Sequence, residues 1–379
     1  MNPAPVKEPA DARQANQLEW IDTLRGFAAF WVILYHSRSD LWVGFKQIQR
    51  IPGAYSTFDH AVAWLSLPIS LGGSAVMLFF VISGFCIHLP YAAGKRTLKI
   101  KEYGLRRALR ILPPYLFAVL LTCLLEWLVY LMGGRTPTPL HQVIRVATLT
   151  QNYDPGACQL LTNGALWSLP VEVELYIVYI LGYYLVRSIG GRLTAMIVLL
   201  LSLVATVGYM RGIGNLDLNF LRFWAIWCSG ALLAEWLRRG QLPKFGLWNL
   251  ASAMLLLAGA VWGEARGWHL GITTQIWGAI YFHMVWFALL NPGSIHLFPK
   301  WCVRLFVWLG KVSYSAYLIH YGVFAVCEFA WVHFAGVKPA NFLVPVLFSV
   351  SIWPLAWLFW KFCESPFHQL SQQLAKRVA

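Results

Sequence analysis

Two costly side chains share one apolar segment. Arg25 and His36 stand eleven residues apart, separated by Gly26-Phe27-Ala28-Ala29-Phe30-Trp31-Val32-Ile33-Leu34-Tyr35. Eleven residues is close to three helical turns, so in a helix both project from one face, roughly 16 Å apart along the axis. Ionisable groups in a membrane helix are expensive, turn toward the protein interior and mark functional sites. Histidine is the side chain best suited to take and return a proton near neutral pH. Asp22, three residues before Arg25, is placed to pair with it.

Four further groups carry chemistry. Arg106, Arg107 and Arg110 follow the basic stretch Lys95-Arg96-Thr97-Leu98-Lys99-Ile100-Lys101 and precede Pro113-Pro114-Tyr115. The lysines read first as a topology signal. Arg107 and Arg110 share a helix face at the membrane boundary and suit paired-donor recognition of a phosphate-bearing cofactor. Trp167-Ser168-Leu169-Pro170-Val171-Glu172 puts a carboxylate near the outer end of a span. By depth alone Glu172 falls near His36, where it would fix the imidazole tautomer. Glu174, two residues on, faces elsewhere. Ser83-Gly84 lies in the apolar run Leu78-Phe79-Phe80-Val81-Ile82, where small residues serve helix packing or line a substrate path. Ser313, Tyr317 and His320 follow an i, i+4, i+7 pattern. That stripe is either helix–helix hydrogen bonding or the wall of a cavity.

The elements that must position these groups are transmembrane helices. Of 379 residues, 58% are hydrophobic and only 12% charged, with 20 Trp; a soluble domain carries about a quarter charged residues. Apolar runs near 20 residues cross a bilayer core of about 30 Å. The sequence predicts ten spans, at 19–37, 70–91, 111–132, 166–186, 193–210, 219–237, 246–263, 271–290, 305–329 and 341–361, the ninth long enough to be tilted or broken. With the N-terminus cytoplasmic, inside segments hold 19 Lys and Arg against 8 outside, which places both termini inside. The expected organisation is a polar tail (1–17), one membrane domain (18–365) and a cytoplasmic C-terminal tail (366–379). The net charge of +14 then anchors the protein at an anionic leaflet. Nucleic acid is an improbable partner, because no basic soluble domain exists to carry it. The seven cysteines show neither disulfide nor metal-ligand spacing. Residues 1–17 lack the layout of a cleavable signal peptide, so the first span reads as an uncleaved anchor. The loops 38–69 and 133–165 are long enough to cover a site or merely to connect.

Taken together, these segments resemble acyltransferase family 3, the group that includes bacterial O-antigen and polysaccharide O-acetylases. The likeness rests on Arg25 and His36, Phe79-Phe80-Val81-Ile82-Ser83-Gly84-Phe85, Arg107 and Arg110 with Pro113-Pro114-Tyr115, Ser168 with Glu172 and Tyr176, Ser313-Tyr314 with Tyr317 and His320, and Glu364-Ser365-Pro366-Phe367. Each is weak alone; six in order along nearly the whole chain are specific. Two departures are expected to matter: Met77 occupies a position that is often acidic or polar in the family, and an acceptor that requires the hydrolase-like C-terminal domain of some members is not expected.

The resemblance implies a protein of the bacterial cytoplasmic membrane that moves an acyl group, usually acetyl from acetyl-CoA, to a hydroxyl of a glycan or lipid-linked saccharide, with no tightly bound cofactor and no metal. It implies that His36 is the catalytic histidine, Arg25 its partner, Arg107 and Arg110 part of the donor motif, and Glu172 the motif glutamate. The expected site is therefore His36, Arg25, Glu172 and Asp22 for catalysis. Arg106, Arg107, Arg110 and Ser83 would serve the donor; Ser313, Tyr317, His320 and Trp167 the acceptor. The same intramembrane polar residues would also suit a proton-coupled saccharide transporter or flippase.

Overall fold

A computed structural model of the chain describes residues 10–51, 53–153 and 158–378. Residues 1–9 of the expected polar tail lie outside the described residues. The described part is helical, with no strand beyond an isolated bridge between Leu160 and Asn163. The helices run in the order α1 (Ala10–Asp40), α2 (Phe45–Arg50), α3 (Thr57–Leu65), α4 (Ala75–His88), α5 (Ile100–Leu131), α6 (Leu140–Ala147) and α7 (Ser168–Ile189). They continue with α8 (Gly191–Met210), α9 (Phe220–Arg238), α10 (Leu247–Arg266), α11 (Leu270–Leu290), α12 (Lys300–Ala335), α13 (Leu343–Phe359) and α14 (Ser365–Val378).

Seven helical stretches among the described residues are long and apolar enough to cross a membrane: Thr57–Gly94, Ile100–Leu131, Gly164–Ile189, Gly191–Met210, Leu247–Arg266, Lys300–Ala335 and Leu343–Leu374. This is an all-α, multi-pass membrane protein. The other three expected spans correspond to α1, α9 and α11, of 31, 19 and 21 residues. These are long enough to cross but more polar. The expected ninth span is unbroken: α12 runs 36 residues, roughly 54 Å, and overshoots the hydrocarbon core. Two boundaries differ from the sequence reading. Residues 10–17 already belong to α1 rather than to a separate tail. The C-terminal segment is helix α14, joined to α13 through a π turn at Trp360–Glu364 and packed against α5.

Two glycine crossings set the helix spacing around the site. Lipid tails are as apolar as leucine, so membrane helices associate by close packing, and small residues allow backbones to touch. A Cβ on Gly26 of α1 would lie 2.0 Å from the Phe306 carbonyl of α12, and one on Gly310 would lie 2.2 Å from the Asp22 carbonyl. The same reciprocity joins α4 to α9. A Cβ on Gly84 would meet the Trp227 carbonyl at 1.9 Å, and one on Gly230 the Val81 carbonyl at 1.8 Å. Gly26 and Gly84 each follow a chemistry-bearing residue, Arg25 and Ser83, whose direction the crossing therefore fixes. Gly84→Ala is expected to destabilise the detergent-solubilised protein by about 1–3 kcal/mol, the cost of overpacking against backbone that cannot yield. Gly182→Ala on α7, with no neighbour within 4 Å, should leave the thermal midpoint unchanged.

Among the described residues, the two long connections 38–69 and 133–165 are folded against the helices. Glu126 of α5 is buried and accepts hydrogen bonds from the backbone N–H and hydroxyl of Thr138 (2.7 and 2.8 Å) and of Thr162 (3.2 and 2.8 Å). One carboxylate thus ties both ends of the 133–165 loop to a helix. The 38–69 connection folds into α2, α3 and a small core of Trp42, Ile48, Val62, Ala63 and Phe342.

Candidate active site

A cavity of about 130 Å3 lies between α1, α4, α5, α7 and α12. Three arginines and one glutamate face it: Arg25, Arg107, Arg110 and Glu172. Arg25 bonds Asp22 Oδ1 through Nη1 at 3.1 Å and approaches Cys86 Sγ through Nη2 at 3.5 Å. Asp22 is therefore engaged with Arg25, one turn away on the same helix. Arg107 and Arg110 lie within α5, which begins at Ile100, so the arginine motif is helical and not part of a loop. The guanidinium of Arg107 sits 5.9 Å from the centre of the Tyr176 ring. Arg106 turns away to Glu102, at 2.7 Å. It lines a larger cavity of about 470 Å3 at the N-terminal end of α5, with Tyr91, Arg96, Lys99 and Tyr103. The two cavities share Cys86, Ile87 and Arg107 in their walls.

Glu172 is held by its neighbours rather than by His36. Its Oε1 accepts from the hydroxyl of Ser83 at 3.2 Å and from the hydroxyl of Tyr176 one turn along α7. Ser83 in turn accepts from the Trp227 indole N–H at 3.3 Å. The depth argument had brought Glu172 to His36; the structure separates them, and the reason is a layer between. Ser168 and Tyr317 join their hydroxyls at 2.8 Å, and Tyr317 donates to the Ala165 carbonyl at 2.7 Å. Glu172 lies four residues inward of Ser168 on α7, while His320 lies three residues outward of Tyr317 on α12. At 1.5 Å per residue the two are roughly 10 Å apart in depth.

His36 belongs to the level of His320, beyond that layer. Its ring centroid is 5.2 Å from that of His320 and 4.6 Å from that of Tyr321. His320 is fully buried. Of the expected acceptor residues, Ser313 and Tyr317 line the charged cavity, Ser313 with its hydroxyl returned to the Gly310 carbonyl at 2.8 Å. Trp167 instead packs on Phe223 of α9, centroids 5.7 Å apart. Ser83 lines the cavity, and Gly84 beside it makes the helix crossing.

Several residues of the site, most of them within the motifs that carry the resemblance, have no role assigned from the sequence. Tyr176 and Ser168 each lie one turn from Glu172 on its own face, a signal that helical periodicity offers. Tyr314 and Tyr321 sit i and i+7 around Tyr317, so they share its side of α12 as well as Ser313 and His320 do. Glu364 is buried and accepts from Ser315 at 2.6 Å, holding the π turn against α12.

The arrangement is that of a polytopic helical membrane protein with a cationic cavity enclosed by its spans, and an imidazole pair one layer beyond. The acyltransferase domain model matches residues 18–361. The chain belongs to acyltransferase family 3 and is a multi-pass membrane acyltransferase. No curated protein and no solved structure is significantly similar to it.

Proposed function

We propose that this protein is an acyl-CoA-dependent O-acyltransferase of the bacterial cytoplasmic membrane, with ten spans and both termini inside. It would move an acetyl group from cytoplasmic acetyl-CoA to a hydroxyl of an extracytoplasmic or lipid-linked glycan. The observation that carries this reading is the two-level site. Three arginines against one glutamate line the inner cavity, and a surplus of positive charge in a low-dielectric space suits a polyanionic donor. His36 lies one layer further out, toward the side where a glycan would arrive.

In this reading the donor's phosphates meet Arg107 and Arg110, with Arg106 at the cytoplasmic mouth, and its slender arm passes Arg25. The Ser168–Tyr317 layer lies across that route, so the thioester reaches His36 when the Tyr317 ring turns aside. His36 then removes the proton of the acceptor hydroxyl as its oxygen attacks the thioester carbonyl. The carbon–sulfur bond breaks, and the proton passes from His36 to the departing thiolate, releasing free CoA and an O-acetyl ester. Glu172, held by Ser83 and Tyr176, balances the arginine charge and shapes the donor cavity. No hydroxyl or thiol of the chain need become acylated.

Purified protein with labelled acetyl-CoA and an alkyl glycoside should release free CoA and form a labelled ester in equal amounts. Saccharide binding without thioester consumption would overturn the reading and favour transport.

A further inference from the structure

A general base is effective only when a third group holds its ring in one tautomer with the lone pair toward the substrate. The two carboxylates nearest in sequence logic are committed elsewhere. Asp22 pairs with Arg25, and Glu172 bonds Ser83 and Tyr176 on the far side of the Tyr317 layer. Two rings from α12 lie against His36, that of Tyr321 and a second imidazole, His320. The rings of His36 and His320 have centroids 5.2 Å apart and planes inclined by 37°.

The tautomer of His320 is legible from its surroundings. Its Nδ1 is 2.8 Å from the carbonyl oxygen of Tyr317 and 3.2 Å from that of Ala316. Carbonyl oxygens only accept, so the proton sits on Nδ1 and Nε2 keeps its lone pair. That Nε2 is buried with no hydrogen-bond partner, and so is Nδ1 of His36. Two orphaned nitrogens on touching rings are costly in a membrane interior. One hydrogen bond between the rings removes the cost. An end-on N–H···N bond of about 2.9 Å puts imidazole centroids about 5 Å apart, the separation present here, so the rings need turn only about their own axes.

Resting on the reading of His36 as the base, we infer that His320 is its positioning residue, accepting a hydrogen bond at Nε2 from the His36 ring N–H. The chain of donors runs from His36 to His320 Nε2, and from His320 Nδ1 to the Tyr317 carbonyl. The His36 proton is thereby parked toward α12, and its other nitrogen presents a lone pair to the acceptor hydroxyl. When His36 takes the hydroxyl proton, the bond to His320 becomes charge-assisted and strengthens. It relaxes when the proton leaves with the thiolate. The ring of Tyr321, 4.6 Å from that of His36 and inclined to it by 58°, lies against His36 as well.

The test uses the full-length protein in nanodiscs, acetyl-CoA as donor and octyl glucoside as acceptor, with His320→Phe, His320→Asn and His320→Gln. Phenylalanine fills the space without a nitrogen. Asparagine can reach the Tyr317 carbonyl but not His36. Glutamine places a carbonyl oxygen where Nε2 stands. The Phe and Asn variants should lose about a hundredfold in kcat, a typical share of a proton-transfer contribution, with KM for acetyl-CoA unchanged. The Gln variant should recover about tenfold of that loss. Nitrogen-15 spectra of the His36 ring should show one tautomer in the parent and a mixture in His320→Phe. A Phe variant that turns over like the parent would sink the pairing, as would Gln performing no better than Asn with KM raised in both. His36→Ala separates the two levels of inference: if it retains full transfer, the assignment of the base itself fails and the pairing falls with it.

Discussion

His36→Ala is expected to lower acyl transfer by about a thousandfold or more while acetyl-CoA binds as tightly as before. The magnitude follows from removing a positioned general base, whose contribution is typically 10²–10⁴-fold. The selectivity follows from where the helix puts the side chain. His36 is three turns along α1 from Arg25 and contacts His320 and Tyr321, whereas the arginines of the inner cavity lie beyond the Ser168–Tyr317 layer. Deleting the imidazole therefore leaves the charge that would hold the donor where it is. His36→Gln should be as inactive as alanine, because an amide fills the space but cannot accept a full proton. Initial rates with labelled acetyl-CoA, set beside equilibrium binding of the same ligand, check both halves. Parallel loss of rate and binding would mean that the two levels are not separable.

The contrast between α1 and α7 shows what the sequence could disclose. Arg25, Ser83, Arg107, Arg110, Glu172, Ser313 and Tyr317 were all picked out by residue type against an apolar background, and all line one cavity. Such a signal is strong because an ionisable or hydroxyl side chain in a span must turn inward. The partner of His36 was hidden for a related reason. Depth was reckoned from the ends of spans, and an error of one turn moves a side chain by about 5 Å. Helix α7 is preceded by a 3-10 turn at Gly164–Trp167 that sets Glu172 inward, and α12 extends well past the bilayer core, so its residues could not be ranked by depth. The glycine crossings were legible as small residues, but not which helix each would meet. That α1 meets α12 depends on closing the bundle, and this contact brings His320 to His36 from nearly 300 residues away.

Charge removal inside the cavity and at its mouth should differ in kind. Arg107→Gln and Arg110→Gln are each expected to weaken acetyl-CoA binding by about 10- to 100-fold, since a hydrogen bond to a charged group is worth about 1.5–3 kcal/mol and each 1.4 kcal/mol is tenfold. Much of the effect should persist as salt is raised, because both arginines are half-buried between helices, where counterions screen charge less than at the surface. Arg96→Gln, on the exposed rim of the second cavity, should cost only a few-fold at low salt. That loss should vanish at 0.5 M salt, where the screening length is shorter than the about 10 Å found at 0.1 M. The Arg107 variant carries a second consequence. Glu172 reaches Arg107 through Tyr176, whose hydroxyl it accepts and whose ring the guanidinium overlies. Removing the guanidinium leaves an anion facing the donor's phosphates across the same cavity. Glu172→Gln in the Arg107→Gln background should therefore restore part of the affinity, although Glu172→Gln alone, by freeing Tyr176 and Ser83, should not improve it. Such a coupling, measured as a double-mutant cycle in acetyl-CoA binding, would place the glutamate in charge balance of the donor cavity. Strict additivity would remove it from the charge balance of that cavity.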